Sequence, residues 1–296
     1  MDSDLSRFMP YPPFPPQAPT RRALVTLLVA LALLAGCSGL LQNLGAKWVT
    51  RQIAAEFNLD DAQTAATRAS VDRLIAAAPA ALSTKVDMLV ATVDAAIAKG
   101  LTEKDLLGME RQIEKISDIV AGAIIDEASP ILATLRDDQI EFAESRINER
   151  LDEAREELEE PKQERLETRQ DGFVDSVEDW AGDITSEQER ALRAYIATVP
   201  DEMEARIRAD EGRIERMAAL LRRHPGAEAI REGLWKEWKN RESLGPSARS
   251  PEKRRADGRQ AILYVYEMLD AEQRDHASRH LHELHDKLKA FLGAGS

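Results

Sequence analysis

The chain has 296 residues, a formal net charge of −13 and 31% charged residues. This acidic balance argues against a nucleic-acid-binding protein and against electrostatic adhesion to anionic lipid, since both require an excess of Lys and Arg. Cys37 is the only cysteine, so the chain forms no internal disulfide and packing alone must hold the fold.

Residues 1–36 are typical of a secretory leader. Arg21 and Arg22 precede 13 uncharged residues, a stretch too short for a membrane span of about 20 residues. The six prolines within residues 1–20 exclude a helix there, so this part is either a long leader or an upstream extension from a misassigned start. We expect residues 1–36 to be removed from the mature protein.

The leader ends in Leu34, Ala35, Gly36 and Cys37, which resemble the lipobox of bacterial lipoproteins. The resemblance implies cleavage before Cys37, diacylglycerol on its thiol and a fatty acyl group such as palmitate on its new amino group. The alternative is an uncleaved signal anchor with an incidental cysteine. Ser38 stands where lipoproteins retained in the inner membrane often carry Asp, which favours the outer membrane, facing the periplasm.

The segment after Cys37 predicts a short tether over residues 37–44, followed by a helical domain over residues 45–292. Residues 1–36 carry a charge of +1, so the remainder carries −14 and we expect the lipid alone to attach it to the membrane. Residues 38–44 reach about 23 Å when extended. The first helix should therefore lie close to the lipid headgroups.

The domain is expected to be all-α, because Ala, Leu, Glu, Arg, Lys and Gln dominate and aromatic residues make up only 5%. About ten amphipathic helices in serial antiparallel hairpins would form an elongated bundle. The expected ranges are about 44–57, 61–78, 80–99, 103–128, 137–160, 162–181, 186–199, 201–223, 226–241, 252–268 and 271–292.

One helix-start pattern recurs five times. An aliphatic residue precedes a capping position, and Gln or Asp follows three positions later; Arg136 breaks the pattern at the cap. The five stretches are 59–63, 101–105, 135–139, 184–188 and 269–273. The simplest interpretation is five helix starts; the alternatives are a degenerate repeat, or kinship with periplasmic proteins that carry Leu-Thr-x-x-Gln motifs.

The sequence contains no recognisable set of catalytic residues. The C-terminal helix holds His276 and His280 on one face and His282 and His285 on nearly the opposite face, which excludes a single four-histidine site. The first pair is either half of a weak metal site or, as we expect, surface or packing histidines. Ser250 opens a Ser-x-x-Lys sequence, which we interpret as a helix cap. We expect no enzyme activity, no bound metal and no cofactor beyond the lipid on Cys37.

Trp235 and Trp238 lie three residues apart among lysines. On one helix face, such a pair is typical of a surface that binds a protein partner or inserts into a membrane interface. The alternative is that both rings pack in the core and the lysine heads stay in water.

Two blocks resemble a family of uncharacterised proteobacterial lipoproteins, a helical domain of unknown function. The first block is Gly36-Cys37-Ser38 with Trp48, Phe57 and the start at 59–63, and the second spans residues 180–188. Membership implies a lipidated helical envelope protein and no activity. We therefore expect a non-enzymatic binding or structural protein with an envelope partner. The alternatives are a chaperone or stress sensor like the Spy-type periplasmic proteins, and an unrecognised hydrolase.

Overall fold

The protein, described from a computed structural model, is defined over residues 38–293, with side-chain surroundings over residues 45–290. This range contains ten helices and no strand, which confirms the all-α prediction. The helices are α1 (Ser38–Phe57), α2 (Asp61–Lys99), α3 (Glu103–Leu132), α4 (Asp137–Glu159), α5 (Lys162–Ala181), α6 (Ser186–Ala197), α7 (Met203–Leu221), α8 (Ala227–Lys239), α9 (Pro251–Met268) and α10 (Ala271–Gly293).

The five recurring stretches all start helices, as predicted. In four of them two reciprocal hydrogen bonds form. The side chain of the cap residue accepts a hydrogen bond from the backbone N–H three residues later, and the side chain of that later residue accepts one from the backbone N–H of the cap residue. These four pairs are Asp60/Gln63, Thr102/Asp105, Thr185/Gln188 and Asp270/Gln273. At the start of α4, Arg136 has no acceptor atom, so only its backbone N–H is capped, by Gln139 Oε1 at 3.1 Å.

Two of the cap glutamines join helix starts that lie far apart in the chain. Gln63 Nε2 donates to Gln139 Oε1 at 3.1 Å, and Gln139 Nε2 donates to Gln63 Oε1 at 2.6 Å. Each amide also donates across the junction to a backbone carbonyl, Gln63 to Thr134 and Gln139 to Asn58. Gln139 is 0% exposed. We call this arrangement the first glutamine crossing; it satisfies buried amides that would otherwise destabilise the fold.

The same arrangement occurs a second time. Gln188 Nε2 donates to Gln273 Oε1 at 2.8 Å, and Gln273 Nε2 donates to Gln188 Oε1 at 3.0 Å. Gln188 donates further to the carbonyl of Met268, and Gln273 to that of Asp183. This second glutamine crossing joins the start of α6 to the start of α10.

The two crossings give residues 38–159 and residues 162–293 the same plan. In each half, the helix that precedes the first glutamine contacts the helix that carries the second. These contacts join α1 to α4 and α5 to α10. The last helix of each half also packs on the other half, α4 on α7 and α10 on α2. The bundle therefore combines hairpins between chain neighbours with these returning contacts.

The core is divided into small clusters rather than one thick interior. Leu59 and Leu135 belong to the cluster around Ile140 and Ile230, beside the first crossing. Ile184 and Leu269 belong to the cluster around Leu192, beside the second crossing. The aliphatic residue before each cap therefore packs next to the glutamines. Two further clusters lie between α2 and α3, around Leu82, Ile116 and Val120 and around Ala96, Leu106 and Met109.

The expected break at Pro79 was wrong, because α2 continues from Asp61 to Lys99 with Pro79 inside it. A proline removes one backbone hydrogen bond and usually ends or kinks a helix. Here Ile75 and Ala78 before the proline and Ala81 and Leu82 after it belong to the same apolar cluster. Packing on both sides of Pro79 holds the two segments together as one helix.

Candidate functional site

Helix α1 is described from Ser38 onward, next to the predicted acylation site at Cys37. Cys37 and the lipobox residues Leu34, Ala35 and Gly36 lie outside the described residues. Residues 38–44, which the sequence predicts as part of the tether, have a helical backbone. Seven helical residues span about 10 Å rather than 23 Å. This length lies within the upper limit of about 23 Å that the sequence sets for the segment.

Helix α1 has one buried and one exposed face over the part whose side chains are described. Ala46 and Thr50 are 2% and 5% exposed, and Phe57 packs into the cluster beside the first crossing. This face lies against α2 and α4. The exposed face carries Lys47, Trp48, Arg51, Gln52 and Ala55. Trp48 is 49% exposed, so its indole is available to a partner or to lipid.

The tryptophans that the sequence predicts as a partner or membrane face lie against helix α3. Trp238 Nε1 donates to Asp118 Oδ1 at 2.8 Å, and the guanidinium of Arg241 stacks on the Trp238 ring at 3.9 Å. The Trp235 ring lies so close to Gly122 that a Cβ there would be 3.2 Å from it. Both tryptophans are half-buried. The arrangement resembles the packing alternative, except that the head group of Lys239 binds Asp118 at 2.9 Å instead of extending freely into water.

His276 and His280 both contact Trp180 at the end of α5. His276 Nδ1 forms a 3.0 Å hydrogen bond with the carbonyl of Trp180. The His280 ring meets the Trp180 indole edge-on, with the ring centroids 5.0 Å apart. The pair of histidines on this face of α10 therefore packs against α5.

His282 and His285 lie on the other face of α10 and pair with carboxylates of α2. His282 Nε2 is 3.1 Å from Asp94, and His285 Nε2 is 2.7 Å from Asp87. The hydrogen bond with His285 holds the pKa of Asp87 below its ordinary value. Over residues 38–293, no group of three or more His, Cys, Asp or Glu side chains is placed to hold a metal ion.

The Ser-x-x-Lys sequence is a helix cap, as predicted. Ser250 Oγ accepts the backbone N–H of Lys253 at 3.2 Å, and Pro251 occupies the first turn of α9. Lys253 Nζ donates to Asp257 at 2.6 Å. The lysine is thus paired with a carboxylate one turn along the helix.

An ionic network ties the segment before α9 to the start of α7. Arg249 donates to Glu202 from its backbone N–H at 2.7 Å and from its guanidinium at 3.1 Å, and also binds Asp257 at 2.6 Å. The Glu202 side chain is 8% exposed. Burial would raise the pKa of Glu202, but the hydrogen bonds and charge of Arg249 outweigh it and lower the pKa overall. The charged form of Glu202 therefore stabilises the fold.

Replacing Glu202 with glutamine is expected to lower the free energy of unfolding by about 2 kcal/mol at neutral pH, because it removes a charged partner of Arg249. Because the pKa is depressed in the folded state, this contribution is present above the unfolded value of about 4.3 and is lost as pH falls through the folded value. Urea unfolding between neutral and acidic pH should show the gap between wild type and E202Q closing.

The control for that experiment is Glu204→Gln on the same helix. Glu204 pairs with Arg208 at 2.9 Å, but both side chains are more than half exposed. Such a surface pair contributes about 0.5 kcal/mol or less. A gap between wild type and E202Q that is no larger than the gap for E204Q would contradict a stabilising role for Glu202.

Helix α2 carries an exposed face without charge. Its members are Ala77, Ala80, Thr84, Met88, Ala91 and Ala95, all exposed at helical spacing. We call it the uncharged α2 face; it is about 27 Å long. Met88 is 60% exposed, which is unusual for a large apolar side chain.

By length and composition, α2 is the one described helix that would be able to cross a membrane. In the structure α2 packs against α1, α3 and α10. Its Asp87 and Asp94 bind the histidines of α10, and Arg73 pairs with Glu127 of α3. The helix thus serves as a central packing element of the bundle.

Residues 59–247 match the model of a family of unknown function, DUF6279. The chain belongs to this family. No curated protein and no solved structure matches the chain. The matched range begins at the first glutamine crossing and contains three of the four crossing glutamines; Gln273 lies beyond it. The family has no assigned activity.

Proposed function

We propose that the protein is a lipid-anchored envelope protein that faces the periplasm and acts by binding or structural support rather than by catalysis. The lipobox resemblance of residues 34–37 supports acylation at Cys37. In this proposal the acyl chains are the only non-protein group, and the outer membrane is the destination favoured by Ser38.

The observation that carries the proposal is the position of α1. The helix runs from Ser38, the first residue that the structure describes, and packs on α2 and α4 through Ala46, Thr50 and Phe57. An acylated Cys37 would therefore be separated from the packed part of α1 by a helical segment of about 10 Å. This geometry suits a protein that works at the membrane surface.

A binding role is supported by the uncharged α2 face. In a protein with 31% charged residues, an exposed face about 27 Å long with no charge and an exposed Met88 is typical of a protein-binding surface. Buried polar side chains such as Gln63, Gln139 and Gln273 are used to hold helices together. We therefore place the function on the surface rather than in an interior site.

The alternative is a chaperone like the Spy-type periplasmic proteins. The observation that favours it is the use of Leu/Ile-Asp/Thr-x-x-Gln starts, two of which are brought together by the second glutamine crossing. A chaperone of this kind should suppress aggregation of several unrelated unfolded proteins. A dedicated binding protein should leave their aggregation unchanged.

Photocrosslinking in cells tests the binding role. With a photoreactive residue at Met88, we expect the same protein partner in repeated experiments, because this position is exposed on the uncharged face. The matched control is the same residue at Glu153, which is exposed on the charged side of α4. No reproducible partner at 88, or the same products at 88 and 153, would contradict binding through this face.

A further inference from the structure

The exposed face of α1 differs in charge from the rest of the protein. Residues 38–55 contain two cations, Lys47 and Arg51, and no acidic residue. The first carboxylate, Glu56, is paired with Arg150 at 2.9 Å. The chain after residue 36 carries −14, so this helix is a local reversal of sign.

The two cations and one aromatic ring share that face. Lys47, Trp48 and Arg51 are all exposed, at positions i, i+1 and i+4; Trp48 lies opposite the buried Ala46 and Thr50, and the two cations lie between it and that buried face. Within residues 45–290, neither Lys47 nor Arg51 has a carboxylate partner. The backbone register of α1 places positions 41 and 44 in line with Trp48, running back toward position 37.

We propose that Lys47, Trp48 and Arg51 form a lipid-contacting face that docks on an anionic membrane surface. Indole rings are enriched at the depth of the headgroups, and Lys and Arg extend their charged ends to lipid phosphates. Each cation near an anionic surface strengthens attachment by about fivefold. The orientation of the face rests on the proposed acylation of Cys37, because that anchor would hold the start of α1 at the bilayer.

The total charge predicts that the lipid alone attaches the protein to the membrane, whereas the cations of α1 would add an electrostatic contribution. The net charge of −14 argues against adhesion of the whole body, but charges act on a membrane only within a Debye length of about 8 Å. An anionic surface would attract the cations of α1 and repel the acidic helices. The body would then be oriented with α1 toward the lipid, and the acyl chains would be assisted by a second attachment signal.

The test uses the mature protein isolated from membranes and reconstituted in vesicles with and without anionic phosphatidylglycerol. Lipids brominated on their acyl chains quench tryptophans that reach the bilayer. The difference between wild type and Trp48→Phe isolates the Trp48 signal from the other three tryptophans. We expect Trp48-specific quenching in anionic vesicles, and its loss in Lys47→Glu/Arg51→Glu.

The matched control is Arg111→Glu/Lys115→Glu. These two cations are exposed on α3 with the same four-residue spacing and change the net charge equally. The control should keep the quenching. Absence of Trp48-specific quenching, or equal loss in both double variants, would overturn the proposal.

The proposed acylation of Cys37 is tested independently of the α1 face. The mass of the same sample reports whether Cys37 is acylated. If it is not, the anchor is wrong, and sedimentation of the protein with anionic vesicles then decides the α1 face: binding abolished only by Lys47→Glu/Arg51→Glu supports it, and no binding overturns it.

Discussion

Replacing Gln139 with leucine is expected to lower the free energy of unfolding by about 4 kcal/mol, because several buried groups lose their partners together. Gln139 is fully buried and connects the backbone N–H of Arg136, the carbonyl of Asn58 and the amide of Gln63. Leucine fills a similar volume and is as good a helix former, but it offers no hydrogen bond. Urea unfolding followed by circular dichroism measures the change.

The control for this prediction is Gln260→Leu on α9, where the glutamine is exposed. That variant makes the same chemical change at the surface and should stay within about 0.5 kcal/mol of wild type. If Q139L destabilises the protein no more than Q260L does, the glutamine crossing does not hold the fold.

A double-mutant cycle tests whether the two glutamines act as a pair. Gln63→Leu and Gln139→Leu each leave the other amide buried without its partner, whereas the double variant removes both amides. The double variant should therefore cost less than the sum of the single variants, by about 1–3 kcal/mol. The equivalent cycle at Gln188 and Gln273 should give coupling of the same sign, since the bonds there are the same.

The helix starts could be predicted from sequence because capping is local. Asp60 and Gln63 are three residues apart, so the bonds between them need only a helix. The pairing of Gln63 with Gln139 spans 76 residues and depends on how whole helices cross. A pattern of helix starts does not specify which of them meet, and Asp105 has the same cap position without joining a crossing.

Two other differences have a tertiary cause. Pro79 normally ends a helix, but packing of Ile75 and Leu82 on one cluster overrides that local preference. The spacing of Trp235 and Trp238 is compatible with an exposed surface or a packed face, and the position of α3 distinguishes the two. The exposed face of α1 was missed because the charge was summed over the whole chain; Lys47 and Arg51 beside Trp48 were the signal for it.

Replacing Cys37 with alanine is expected to remove lipid labelling and move the protein out of the membrane fraction. Each buried CH₂ group of an acyl chain contributes about 0.8 kcal/mol, so losing several chains removes the dominant attachment. The face formed by Lys47, Trp48 and Arg51 would leave only weak, salt-sensitive binding. Ser38→Ala, one residue away and with the cysteine intact, should remain acylated and in the membrane fraction.

The most direct measurement is the mass of the N-terminal peptide of the protein isolated from its own membranes. We predict that the chain begins at Cys37 and carries diacylglycerol on the thiol and a fatty acyl group on the amino group. A chain that begins upstream of residue 37, or a Cys37 with a free thiol, would contradict the assignment of this protein as a lipid-anchored envelope protein.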